Sequence, residues 1–294
     1  MVEEATGGRL VLDTKIMLVP HAEVIDAVID GRADIGTQWI PFNSGTYPLL
    51  DFGALPFFWA NHPWEYEKAI NDPRLISILD EYYWNMGAVR LCAFNSNTID
   101  AIFARKPIDT VDDFEGLKVR VIGQIPTLTC KLMGAAPLVM PLGEVADAVR
   151  LGTVDAVSAG ITFGLGTLGM ADVSTHVSIW PIEPEYGSAL IVNQKSWDAL
   201  PADLQQIVRE VSIEWQGQEY LAVYCHDKTM KVDVLATGLT LVTPDKAEID
   251  KAAELTQPAI EEWLEISGPR AQEVMDIILE YATGPGAEVY KASH

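Results

Sequence analysis

Apolar and polar positions along the chain switch repeatedly between the period of a strand and that of a helix. Residues 10–18 (LVLDTKIML) alternate and carry enough β-branched side chains to predict a strand. Residues 21–31 place Val24, Ala27 and Val28 on one helical face and stop at Gly31, after which 33–40 (ADIGTQWI) read as a second strand. Helical spacing returns over 62–68 and 75–84, then over 124–134. Strands are predicted over 87–95, 117–122, 136–141 and 188–194. Pro201 suits the first position of a long helix whose apolar stripe is Leu204, Ile207, Val208, Val211 and Trp215. Residues 247–282 read as helix broken by Pro and Gly. Strands alternating with helices predict an α/β layer architecture.

One pattern occurs twice. EVIDAVIDGRADIG begins at residue 23 and EVADAVRLGTVDAV at residue 144, an offset of 144 − 23 = 121 residues. They share Glu, Val, Asp, Ala, Val, Gly and Asp at the same places: a helix, a glycine stop, then a short strand opened by an acid. A period of about 20–50 residues would mean a solenoid. A single repeat so far apart predicts two similar lobes instead, and 294 residues suffice for two domains.

Charge narrows the partners. Forty-two acidic residues against 20 basic ones leave a formal charge of −22, with Lys and Arg unclustered. That excludes nucleic acid and anionic membrane surfaces as partners. So acidic a chain repels small anions at long range and needs a local cation to hold one. No window approaches the 18 or so apolar residues of a membrane span. The three cysteines (Cys92, Cys130, Cys225) show no CxxC spacing, lie among apolar neighbours and read as buried thiols. No HxxxH or HExxH occurs among the five histidines, so neither a metal site nor any other cofactor is expected. MVEEATGG reads as a last helical turn stopped by Gly7 and Gly8. It has no basic n-region or apolar h-region, so it is not a signal peptide, and the chain is expected to lack an upstream segment.

Motifs of catalysis are missing. There is no GxSxG, Walker A or kinase signature. GLGTLG (164–169) matches the dinucleotide-loop pattern after a strand-like run. The residues that follow make a poor amphipathic helix and meet Pro181, so a glycine-rich turn is preferred to a phosphate loop. An α/β enzyme of dehydrogenase type using that loop is the alternative reading. GLKVRV (116–121) is more telling, because Arg120 sits deep in an apolar strand. It either pairs with one of many carboxylates or offers a guanidinium fork to a ligand carboxylate.

The run DTVDDFEGLKVRVIG, followed by MGAAPLVMPLGEVADAVRLGTVDAV, resembles the substrate-binding proteins of TRAP (tripartite ATP-independent periplasmic) transporters, the DctP-type family. Gly116, Leu117, Lys118, Arg120, Pro137, Met140, Pro141, Glu144, Gly152 and Asp155 carry the likeness. SWDALPADLQQIV (196–208) and GALPFFW (53–59) extend it to nearly the whole chain. The resemblance implies a two-lobed periplasmic-binding-protein fold, with a ligand cleft between lobes and a long helix spanning both. Lobe I would comprise 1–98 plus 187–225, and lobe II 99–186 plus 226–294. The two repeats would then be corresponding units, one per lobe, whose strand ends (36–39 and 157–160) face each other.

The resemblance further implies a non-enzymatic protein that captures a small organic acid and delivers it to the membrane subunits of a TRAP permease. It implies periplasmic location without membrane insertion, and a first strand that would precede Met1. The carboxylate-clamping arginine falls on Arg120. Cleft positions fall on His21, Gln38, Trp39 and Ser158, with Phe57 and Tyr186 as cleft aromatics. Two departures stand out: Ile99 or Asp100 where many members have a second Arg, and Ala159 where many have Asn. Both weaken the expectation of a dicarboxylate or a sialic acid. Asp100 is a candidate partner for Arg120 or for a ligand amine.

Overall fold

The computed structural model describes residues 1–294 except 17, 60–62, 96–99 and 183–186, and it leaves aside the side chains of Pro63 and Asp227. Among the described residues the strands are β1 (Ile35–Trp39), β2 (Ala88–Asn95), β3 (Asp100–Ala104), β4 (Lys118–Arg120), β5 (Ala136–Leu138), β6 (Ala156–Gly160), β7 (His176–Ser178), β8 (Gly187–Asn193) and β9 (Thr240–Val242). They form two sheets. The first is antiparallel, in the order β1-β8-β2. The second is mixed, in the order β5-β4-β6-β3-β7-β9, with β4 parallel to both β5 and β6.

The helices are α1 (Val2–Ala5), α2 (Val24–Ile29), α3 (Pro63–Ile70), α4 (Pro73–Met86), α5 (Gln124–Leu132), α6 (Val145–Leu151) and α7 (Ile161–Gly166). After them come α8 (Gln194–Asp198), α9 (Ala202–Ala236), α10 (Lys246–Leu255), α11 (Gln257–Ile266), α12 (Ala271–Ile278) and α13 (Pro285–Ser293). Each sheet has its own core. Ile25, Val28, Phe52 and Tyr83 pack with Ile191 around the first sheet, and Trp263, Val274 and Tyr290 of the C-terminal helices join them. The second sheet is covered on both faces. Phe114, Val119 and Trp180 lie on one side; Phe103, Val157 and Val177 lie on the other. Apolar cover on both faces explains why its strands read as continuous apolar runs. Two sheets with two cores make the two lobes that the repeat predicts.

The chain leaves the first sheet after Asn95, enters the second at Asp100, and returns at Gly187. The 35-residue α9 then runs past both sheets, about 50 Å at 1.5 Å per residue. Its first half lays Val208 against Val89 and Leu91 of β2; farther on, Met230 and Val234 join the second core. The expected lobe-spanning helix is therefore present.

The repeat is reproduced in backbone detail. Pro20 and Pro141 precede single 3₁₀ turns at 21–23 and 142–144, and α2 and α6 follow. Both helices end at left-handed glycines, Gly31 (φ 75°) and Gly152 (φ 76°), a conformation that costs glycine nothing. β1 then enters the first sheet and β6 the second. Residues 10–18 depart from the expectation. They join no sheet among the described residues and leave Val11, Leu12, Ile16 and Leu18 exposed, because alternation makes a strand only where a neighbouring edge completes its hydrogen bonds. Cys92 and Cys130 are buried as expected, and burial pushes the Cys92 thiol up to about 11. Cys225 is exposed, because its position on α9 faces away from both cores.

GLGTLG is not a loop under a dinucleotide. Gly164 lies inside α7, where a Cβ would stand 2.4 Å from the Phe103 ring, and Gly169 turns the chain in the left-handed region. The first glycine lets a helix lie close on β3, and the last makes a turn.

Candidate functional site

In open α/β sheets ligands bind outside the carboxyl ends of the strands. Here the carboxyl ends of the parallel strands β4 and β5 open onto a cavity of about 670 Å³. Arg120, the last residue of β4, lines it, as do Val139 and Met140 beyond β5. From the first lobe come Ala22, Pro41, Phe42, Ser44 and Gly45, in the turns flanking α2 and β1. α5 contributes Gln124, Thr127, Leu128 and Lys131, and α11 contributes Glu262. The volume falls in the range that encloses a small molecule.

Arg120 is 1% exposed, although Lys118, two residues earlier on the same strand, faces solvent. The difference is position along the strand. Lys118 opens β4 at the outer end of the sheet, and Arg120 ends it where the first lobe covers the edge. A guanidinium buried against the cavity wall keeps its charge and its five donors.

His21 and Trp39 flank the same region. Their rings stack at 4.6 Å and 3°, and both approach Phe42, at 5.2 Å and 6.2 Å. Burial lowers the His21 pKa, which keeps the imidazole neutral on the indole face at pH 7. Asn43 fixes this corner by donating to the Ala22 carbonyl at 2.7 Å. Across the cavity mouth the Gln124 backbone N–H donates to Ser44 Oγ at 3.2 Å, a bond between the first lobe and the start of α5.

Other expected residues lie elsewhere. Neighbours on a strand face opposite ways, and Gln38 points into the first lobe, where its Oε1 accepts from the Tyr83 hydroxyl at 2.8 Å. Phe57 is fully buried in the core of the second sheet, edge-on to Trp180 at 6.4 Å. Ser158 is fully buried and donates to the Asp100 carboxylate at 3.3 Å. Tyr186 and Ile99 lie outside the described residues. Of the expected residues, Arg120 lines the cavity; His21 and Trp39 do not line it but pack beside Phe42, which does; Gln38, Phe57 and Ser158 lie in the lobe interiors. Phe42, Ser44, Gln124, Lys131 and Glu262 had no local signal. They come from three separate segments, and no spacing links them.

No group of three or more His, Cys, Asp or Glu among the described residues is placed to hold a metal ion. None of the described helices is long and apolar enough to cross a membrane.

Residues 1–266 match the model of the bacterial extracellular solute-binding protein family 7 (DctP). The chain is 27% identical over 258 residues to a monocarboxylate 2-oxoacid-binding periplasmic protein of Nostoc sp., covering 86% of this chain and 70% of that one. It is 33% identical over 114 residues to the C4-dicarboxylate-binding periplasmic protein of Rhodobacter capsulatus, covering 38% of this chain and 34% of that one. Its fold is similar to a Bordetella pertussis extracytoplasmic solute receptor that binds pyroglutamic acid (TM-score 0.85, 20% identity, 94% of this chain and 91% of that one). It is also similar to a TRAP periplasmic solute-binding protein of Desulfovibrio desulfuricans with bound sn-glycerol-3-phosphate (TM-score 0.83, 21% identity, 95% and 89%). The family and these structural neighbours are solute-binding proteins, which leaves the dehydrogenase reading of GLGTLG without support. With its two lobes, its interlobe cavity and a family match over residues 1–266, the chain belongs to family 7 of the bacterial extracellular solute-binding proteins, the substrate-binding components of TRAP transport.

Proposed function

We propose that the cavity at Arg120 captures a small organic acid and that the closed protein delivers it to the membrane subunits of a TRAP permease, outside the cytoplasm. The observation that carries the reading is a buried arginine at the carboxyl end of β4, lining a cavity between the lobes of a protein with net charge −22. In such a field an anion needs a fixed local cation, and a guanidinium fork matches a carboxylate in charge and shape. Relatives that bind a 2-oxoacid, a C4-dicarboxylate or pyroglutamic acid support an acid as the ligand class.

In this reading Arg120 clamps the carboxylate, Trp39 and Phe42 pack the body of the ligand, and His21 adds a hydrogen bond. Gln38, Phe57 and Ser158 act from behind the walls, and Tyr186 remains a cleft candidate by resemblance. The lobes divide as 1–98 with 187–225 and 99–186 with 226–256, which departs from the expected 226–294 at its C-terminal end. Helices α11–α13 move with the first lobe, because their side chains share its core. Ligand binding closes the two lobes over the cavity.

A thermal-shift series with pyruvate, succinate, pyroglutamate and sn-glycerol-3-phosphate tests the reading. A ligand that binds only the folded protein raises its melting point by mass action. At least one acid should stabilise the wild type, and Arg120→Ala should weaken its binding by about 100-fold, the loss of a charge-assisted bidentate contact of about 3 kcal/mol. Unchanged affinity in Arg120→Ala would refute the assigned anchor.

A further inference from the structure

The repeat continues past the strands. At the same offset of 121, Ile40 corresponds to Ile161 and Phe42 to Phe163, since 163 − 42 = 121. Trp39 corresponds to Gly160, where no side chain exists. In the structure Trp39 lies between the two corresponding phenylalanines. Phe42, from its own lobe, is 6.2 Å away and tilted at 33°. Phe163, on α7 of the second lobe, is 5.7 Å away and edge-on at 78°. Phe163 itself packs against the core of Phe103, Val157 and Met170, so its ring is held by the second lobe. His21 covers the indole with a stacked ring. One lobe thus supplies a knob of three stacked and tilted rings. The other supplies an aromatic edge, with glycine at the place where a second indole would otherwise stand.

We propose that Phe163 is a positioning residue for closure: it seats the Trp39 indole across the lobe boundary and sets how far the lobes come together over the cavity. An edge-to-face pair is directional, so the contact favours one interlobe angle, as loose apolar packing does not. Its strength is modest, which suits a contact that must part when ligand leaves. The lobes also meet through the Gln124 N–H to Ser44 Oγ bond and through Ile125 of α5, which packs in the first core, so they stay joined without the Trp39–Phe163 pair. Removing the ring should therefore widen the range of angles without unfolding either lobe. The proposal rests on the two-lobed fold. It is independent of whether Arg120 binds an acid, which is the separate reading above.

The experiment measures interlobe distance in ligand-free protein. Spin labels are placed on cysteines introduced at the exposed Arg32 and Arg150, in the background Cys225→Ser, which removes the exposed native thiol. Pulsed dipolar spectroscopy then compares wild type, Phe163→Ala, Phe163→Leu and Phe163→Tyr. The expected result is a distance distribution shifted longer and broadened in Phe163→Ala, partly so in Phe163→Leu, and restored in Phe163→Tyr. Whichever acid stabilises the wild type should bind Phe163→Ala about two- to tenfold more weakly, the equivalent of one edge-to-face pair. If Phe163→Ala does not fold, the milder Phe163→Leu carries the test. Distributions identical to wild type in the folded variants would overturn the proposal, even if Arg120→Ala abolishes binding.

Discussion

Phe57 separates a ligand contact from a core contact, and its replacement gives the clearest test of the fold. The segment around it is shared between lobes. Leu55, Phe58 and Trp59 belong to the first core, while Phe57 enters the second with Ile102, Phe114 and Trp180. The reversal is made by backbone. Phe57 has φ 55°, a left-handed value uncommon outside glycine, and it is fixed by its N–H donating to Pro181 and its carbonyl accepting from Gly286 at 2.8 Å. Truncation to Ala removes a fully buried ring that packs edge-on to Trp180. Such losses cost about 3–5 kcal/mol. At roughly 2–4 °C per kcal/mol for a lobe-sized unit, the melting point should fall by about 10 °C. Phe57→Gly should be no less stable than Phe57→Ala, because glycine relieves the strained φ that alanine retains. Calorimetry would read the loss, and separation of one transition into two would place it in the second lobe. Titration at 15 °C with an acid that stabilises the wild type should give nearly wild-type affinity. An unshifted melting point together with lost binding would refute the core assignment and return Phe57 to the cleft.

Two further outcomes follow from the packing. Gly164→Ala drives a methyl group to 2.4 Å from the Phe103 ring, so it should destabilise the second lobe by about 1–3 kcal/mol by denaturant titration, while nicotinamide cofactors fail to bind wild type or variant alike. Glu67 on α3 is buried, with Oε1 lacking a hydrogen bond among the described residues, and desolvation raises its carboxyl to about 7. Its folded pKa lies above its unfolded value of 4.5, so the wild type loses stability as pH rises from about 4.5 through 7. Glu67→Gln should therefore be nearly neutral at pH 4.5 and more stable than wild type by about 1 kcal/mol at pH 8, after discounting for solvent around a partly screened group. Equal stability gains at both values would contradict the assignment.

Much of the fold is local and was legible. Proline before a 3₁₀ turn, a short amphipathic helix and a left-handed glycine stop are signals carried by adjacent residues, and the repeat states them twice. The 35-residue helix shows in its opening proline and stripe, which the structure amends slightly by setting polar Ser212 and Gln216 at buried positions facing β2. What failed was what needs a neighbour. β7 and β9 are three residues each and exist only because β3 and each other lie alongside, and β3 itself, DAIFA, went unread between two crossings of the chain. The segment 10–18 failed in the opposite sense, with strand-like alternation and no edge to pair.

Arg120 stands out in the sequence because a charge inside an apolar strand is costly unless something compensates it, and that cost is a property of the strand alone. The fold class, the two lobes and the solute-binding family follow from patterns of this local kind. Which side chains share the cavity with Arg120 is decided elsewhere. Ser44, Gln124 and Glu262 meet only because the first lobe, α5 and α11 converge there. Gln38 and Trp39, adjacent in sequence, part to opposite faces of β1. Trp39 meets Phe163 at a sequence separation of 163 − 39 = 124 because two repeats of one pattern fold into lobes that face each other. Periodicity fixes which face of an element is apolar, but packing alone fixes which element covers it, and the site is built from those choices.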